Sequence, residues 1–181
     1  MSSNIPVLSL SSQPSIEPLT LSETKSYLKI STSSDDVIIS GLITSARKMA
    51  EAFLTSSLIT QSWKISYNKY APSCVKLVMG PVQSISSVIA VARDGSQQVI
   101  SSSTYYLVAG NYRLIFDASP ISHRIEITYV TGYGNTAASV PAPIRYGMLA
   151  HIAAMYDGRM GEKSLPKQAA EFYLPYRGSR Y

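Results

Sequence analysis

The stretch SDDVIISGLITSARKMAEAFL, residues 34–54, is the longest segment of this 181-residue chain with a clear helical period. Ser34 is a natural N-cap, and two aspartates follow in the first turn, where the helix dipole favours negative charge. Apolar and small side chains then recur at steps of three and four, which predicts one face that packs against other helices. The residues of this predicted face are Ile38, Leu42, Ser45, Met49 and Phe53, with Gly41, Ala46, Ala50 and Ala52 beside them.

Two other segments can supply the packing partners of this helix. Thr20-Leu21-Ser22-Glu23 has the pattern of a capping box and predicts a short helix over residues 21–28. Residues 144–159 follow two prolines and carry an apolar stripe, which predicts another helix. Residues 166–173 are expected to form one more short helix. The sequence therefore predicts a small helical bundle of two N-terminal helices plus a C-terminal helix.

The intervening residues 62–139 have the pattern of strands. Trp63, Ile65 and Tyr67 alternate with polar residues, which is typical of a half-buried strand. Gly80-Pro81 and Asp94-Gly95 are turn signals between further short apolar runs. We predict an antiparallel β-sandwich or barrel-like domain inserted into the helical bundle, so the fold class is α+β.

These patterns divide the chain into four parts. We expect a flexible N-terminal arm over residues 1–18, because that segment is rich in Ser and Pro. The helical lobe comprises residues 19–61 and 140–173, the β domain residues 62–139, and a tail residues 174–181. The N-terminus has no basic residue and no long apolar core, so no secretory signal is expected. No apolar run reaches the roughly 18 residues of a membrane span, so no membrane partner is expected.

The net charge is +5, and the basic excess lies in the C-terminal two-thirds of the chain. This bias is compatible with nucleic acid nearby, but it is weaker than the dense basic stripe of a dedicated DNA-binding domain. A solvated basic surface is the alternative interpretation.

The residues that could carry chemistry do not form a recognisable site. His123 and His151 have no second ligand at metal-binding spacing, so structural roles are expected for both. Cys74 lies in an alternating segment and is predicted to be a small buried apolar residue. Gly161-Glu162-Lys163-Ser164 follows a helix and lacks the upstream glycine of a phosphate loop. We therefore predict no catalytic residue, no cofactor and no metal.

The tail is unusual in composition because it combines Tyr and Arg, which are favoured at protein interfaces. Simple fraying of a chain end is the alternative. The candidate contact residues are Tyr173, Leu174, Pro175, Tyr176, Arg177, Arg180 and Tyr181.

Ordered segments over nearly the whole chain resemble one known family. They are LTLSETKSYLKI (19–30), DDVIISGLI (35–43) with Ala46-Arg47 and Ala50-Glu51, LITQSW (58–63), Gly80-Pro81-Val82, Gly132-Tyr133-Gly134, VPAPIR (140–145) and LPYR (174–177). Together they resemble the head–tail connector proteins, also called adaptor or head-completion proteins, of long-tailed phages and gene transfer agents.

The resemblance implies a structural virion protein in the neck, made in the host cytoplasm. Members form a ring, commonly a dodecamer, that extends the DNA channel beneath the portal and joins the head to the next neck or tail protein. The C-terminal segment of such adaptors often docks on the portal, which gives the tail that expected role. Members have no catalytic residues. The partners that the resemblance implies are the portal protein, the next neck or tail protein, further copies of this chain, and the genomic DNA in the lumen.

A closed ring places a different face of each subunit against its neighbour. The residues predicted at this ring interface are Gly41, Ser45, Ala46 and Ala50. Two alternatives to the adaptor role stay open: another ring of the same neck, such as a stopper or tail-completion protein, and a nucleic-acid-binding β-domain protein with a helical appendage.

Overall fold

The computed structural model describes residues 5–108, 110, 112–158 and 165–177. This part of the chain confirms the predicted α+β fold class. The helices are α1 (Leu21–Leu28), α2 (Asp36–Leu54), α3 (Ala142–Asp157) and α4 (Lys167–Tyr173), and the strands are β1 (Val7–Ser12), β2 (Gln61–Tyr70), β3 (Cys74–Lys76), β4 (Val82–Val91), β5 (Gln97–Val99), β6 (Tyr105–Leu107), β7 (Arg113–Phe116) and β8 (Ile121–Thr131).

The chain forms two compact units, each with its own hydrophobic core. The β unit contains residues 5–13 and 60–132, and the helical unit contains residues 14–59 and the described residues from 133 onward. The boundaries expected from the sequence differ at several places. Residues 14–18 and 133–139 go with the helices, whereas residues 5–13, 60 and 61 go with the strands.

Helix α1 begins as the capping box predicts. The Thr20 side chain accepts a hydrogen bond from the backbone N–H of Glu23 at 3.1 Å. Helix α2 begins one residue later than expected, because Asp35 rather than Ser34 is its N-cap, with no side-chain capping bond. Helix α2 packs against both α1 and α3, so the two predicted partners of this helix are confirmed.

The buried face of α2 is rotated from the one that the sequence pattern favoured, although Leu42 and Phe53 of that pattern still pack against the core. Ile38 is 54% exposed and Ser45 is exposed, whereas Ile39 and Ile43 are buried. The two apolar stripes are offset by one residue, so helical periodicity alone does not choose between them. The face in the core contains Ile39, Ile43, Ala46, Arg47, Ala50, Glu51 and Leu54.

A buried charge network fixes the segment before α1 to the buried face of α2. Arg47 Nε donates to Glu17 Oε2 at 2.7 Å, and Arg47 Nη1 donates to Glu51 Oε2 at 3.0 Å. Glu51 Oε1 accepts the backbone N–H of Leu58 at 2.9 Å, so the network also holds the chain beyond α2. Burial by itself lowers the pKa of Arg47, but the bonds and charges of both glutamates outweigh it and raise that pKa.

The β unit is a sandwich of two antiparallel sheets, as predicted. The larger sheet has the order β1-β2-β8-β4-β5, and the smaller one has the order β3-β7-β6. Long apolar side chains such as Ile65 and Ile127 from the larger sheet meet Val75 and Leu114 from the smaller sheet in one core. The hydroxyl of Tyr129 in this core donates to the Val78 carbonyl at 2.9 Å, which satisfies its polar atom.

Two expectations about the β unit are wrong. Val7–Ser12, expected within a flexible arm, is an edge strand paired with β2, with Leu8 opposite Ile65. Cys74, expected to be buried, is exposed, because its neighbour Val75 takes the inward position on β3. In a strand, adjacent residues point to opposite faces, so a shift of one residue reverses which side chain is buried.

We predict that Arg47→Ala lowers the free energy of unfolding of the helical unit by about 3–5 kcal/mol, because the Glu51 carboxylate stays buried without its counter-charge. Lys25→Ala is the control, since it removes an ion pair with Asp36 that lies nearer the surface and costs about 0–1 kcal/mol. Urea unfolding followed by the helical circular-dichroism signal measures both. Equal losses in the two variants would contradict a structural role for the network.

Candidate interaction surfaces

The four residues predicted at a ring interface divide into two pairs. Gly41 and Ser45 are exposed on the outward side of α2. Ala46 and Ala50 have no exposed surface and lie in the core of the helical unit. Ala46 and Ala50 are therefore corrected to core residues, and their small size lets neighbouring helices approach α2 closely.

The outward side of α2 carries large apolar side chains near its N-terminus. Val37 is 87% exposed and Ile38 is 54% exposed. The polar side chains on this side are bonded to their own helix: Ser40 Oγ donates to the Asp36 carbonyl and Ser45 Oγ to the Gly41 carbonyl, each at 2.8 Å. Because these hydroxyls already have partners, the face can be covered without stranding a buried polar group.

The C-terminal segment is anchored on the helical unit before its exposed part begins. Tyr173 is fully buried, and its ring lies 6.0 Å from the ring of Phe53. Tyr173 is therefore corrected from a docking contact to an anchor of α4. Beyond it, Leu174 is 54% exposed, and the Arg177 guanidinium lies 4.8 Å from the centroid of the Phe53 ring.

Pro175 is exposed and Tyr176 packs partly against the helical core. Arg180 and Tyr181 lie outside the described residues, as do residues 161–164, where a phosphate loop was rejected. The exposed candidates for docking in this part of the structure are thus Leu174, Pro175 and Arg177.

No group of three or more His, Cys, Asp or Glu side chains within the described ranges is arranged to hold a metal ion. No described helix combines the length and the apolar character that crossing a bilayer requires.

His151 is a buried histidine on α3 with an unusual environment. It is 1% exposed, and neither ring nitrogen has a hydrogen-bond partner, nor does the buried hydroxyl of Tyr173. Burial lowers the pKa of His151 below 6.5, since the low-dielectric core disfavours the charged ring. His151 is thus a neutral core residue, in agreement with the structural role expected for it. His123, in contrast, is exposed.

The lowered pKa of His151 predicts a loss of stability in acid. Below pH 6.5 the unfolded chain binds a proton that the folded chain rejects, so stability is complete above that pH and falls as the pH drops towards the folded-state pKa. We predict that His151→Leu flattens this dependence and adds about 1–3 kcal/mol of stability, because two unpaired buried nitrogens are removed. Thermal unfolding from about pH 5 to pH 8 measures it. An unchanged pH slope in the variant would assign the acid sensitivity to other groups.

The comparisons with known proteins find similarity to head–tail connectors and to chains of gene transfer agent particles. Residues 18–105, just under half of the chain, match a family model described as phage gp6-like head-tail connector protein. The resemblance to head–tail connectors is confirmed. A comparison with curated protein sequences finds no match.

Solved structures share the fold of nearly the whole chain. The neck of an empty gene transfer agent particle, computed with C6 symmetry, contains a chain with a TM-score of 0.84 at 16% identity, with 97% of each chain covered. A chain in the virion of the native particle has a TM-score of 0.82 at 17% identity, again with 97% of each chain covered. A chain in the neck of the native particle, computed with C12 symmetry, has a TM-score of 0.78 at 17% identity, with 96% of this chain and 97% of the other covered.

Proposed function

We propose that this protein is a structural neck protein that joins the head of a virus-like particle to its tail as a ring-forming adaptor. The observation that carries the proposal is the combination of two matches. The N-terminal half matches a connector family model, and nearly the full chain shares its fold with chains of gene transfer agent necks. Its place of action is the virion neck, and its role is structural rather than catalytic.

The ring is proposed to be a dodecamer around the DNA channel, with the portal on one side and the next neck protein on the other. One of the similar neck structures was computed with C12 symmetry and another with C6 symmetry, which is a subgroup of C12. In a cyclic ring each contact joins two unlike faces of the chain.

Deletion of the gene tests the proposed function. We expect lysates with filled or emptied heads beside separate finished tails, because both assemblies form without the adaptor but cannot join. Electron microscopy counts the joined particles, and expression of the intact gene from a plasmid is the control. Normal joined particles, or a lysate with no heads, would contradict the adaptor role.

A stopper or tail-completion protein is the first alternative, since such a ring would share the neck but contact another neighbour.

The second alternative, nucleic-acid binding, has one observation in its favour. Lys76 on β3 lies directly opposite Arg113 on β7, and the next row of the same exposed face places Tyr106 beside Ile115. Cations next to an aromatic ring can contact a nucleic-acid strand. This alternative becomes the leading one if deletion of the gene leaves joined particles intact.

The exposed end of the C-terminal segment is proposed to dock on the portal. We predict that deletion of residues 174–181 abolishes docking and leaves the chain folded, because Tyr173, the buried anchor of α4, is retained. Co-purification with the portal protein measures docking, and circular dichroism measures folding. Arg177→Ala serves as the control for the loss of the Phe53 contact alone. Undiminished portal binding by the shortened chain would rule out this docking site.

A further inference from the structure

Within the described ranges, the outward side of α2 is left exposed. We infer that it docks, in the proposed ring, on an aromatic patch of the next copy. We define the α2 outer face as Val37, Ile38, Gly41, Ser45 and Lys48, and the α3–α4 aromatic patch as Tyr146, Glu171 and Phe172. The inference rests on the proposed function, because a ring of copies is what brings the two surfaces together.

Gly41 is the most informative residue of the α2 outer face. A glycine inside a helix is destabilising relative to alanine, so we expect close packing at this position to explain its presence. Apart from the backbone of its own helix, a Cβ atom built at Gly41 would meet no atom of the described residues within 4 Å. Packing within the described chain therefore does not require a glycine here. The missing side chain would instead let a neighbouring molecule approach the helix backbone closely. Val37, 87% exposed and one turn before Gly41, forms the wall of this notch.

The α3–α4 aromatic patch offers exposed aromatic rings that could enter such a notch. Tyr146 on α3 is 58% exposed and Phe172 on α4 is 37% exposed. A Cβ atom at Gly147, the residue after Tyr146, would lie 3.0 Å from the Cβ of Phe172, so α4 sits tightly against α3 here. Exposed aromatic rings on a rigid helical surface are typical anchors at the centre of protein interfaces.

The charges at the edges of the two surfaces are complementary. Lys48 lies on the exposed side of α2, and Glu171 precedes Phe172 on the exposed side of α4. Within the described ranges, no ion pair includes Lys48 or Glu171. Opposite charges at the rim of a contact fix its orientation and oppose wrong pairings. A head-to-tail contact is also what cyclic symmetry requires, since each copy offers one face to each neighbour.

Charge reversal tests the contact in assembled particles. Full-length Lys48→Glu and Glu171→Lys are each expressed in the gene-deletion strain, and joined particles are counted by electron microscopy. We expect each single reversal to lower the joined fraction about tenfold or more, because like charges then face each other at every contact of the ring. The double reversal, which restores opposite charges, should return the joined fraction to within about twofold of the intact protein.

Lys69→Glu is the matched control, since it makes the same charge change at an exposed position of the β unit. Two results would overturn the inference: a double variant that is no better than the worse single variant, or single variants that behave like the control. If deletion of the gene does not prevent joining, the proposed function fails. If deletion prevents joining but the reversals have no effect, only the docking inference fails.

Gly41→Leu supplies a second readout that separates folding from assembly. The Cβ atom of the added side chain has open space among the described residues, so thermal unfolding of the purified protein should occur at an equal or higher temperature. The same side chain fills the notch that the aromatic ring needs, so joined particles should fall about tenfold or more. Normal joining by a folded Gly41→Leu protein would contradict docking at this notch.

Discussion

The constraint on which the structure depends is that α2 is apolar on two sides, whereas the described part of the chain covers only one of them. Ile39 and Ile43 enter the core with α1 and α3, and Val37 and Ile38 are left largely in water. Exposure of such side chains to solvent is unfavourable, and large exposed apolar patches are typical of surfaces that bind another molecule. We infer that one side of this helix packs in the core of the monomer and that the other side contacts the adjacent copy in the ring.

The buried charge network decides which side of α2 faces inward. Arg47 and Glu51 are placed one helical turn apart on the buried face, and Glu17 reaches Arg47 from the segment before α1. If α2 were rotated so that Ile38 entered the core, this network would be pulled apart, and a buried charge without its partner is strongly destabilising. The β unit is independent of this choice, since its core forms between its own two sheets.

The sequence predicted local structure well and tertiary choices less well. The capping box at Thr20 and the alternation from Trp63 to Tyr67 depend on neighbours in the chain, so both could be predicted from residue order. The buried side of α2 and the inward residue of β3 each differ from expectation by a single position. Both depend on contacts far along the chain, such as Glu17 with Arg47, that no local period encodes. The partner of β1 is likewise more than fifty residues away, at Leu8 opposite Ile65, and its pairing was missed for that reason.

A cryo-electron-microscopy map of the neck in particles that contain this protein tests the central claim most directly. The account predicts a ring of copies at the joint between head and tail, with the outward side of α2 covered by α3 and α4 of the adjacent copy. A ring in which Val37 and Gly41 face solvent or the DNA channel would contradict it, as would a neck from which the protein is absent.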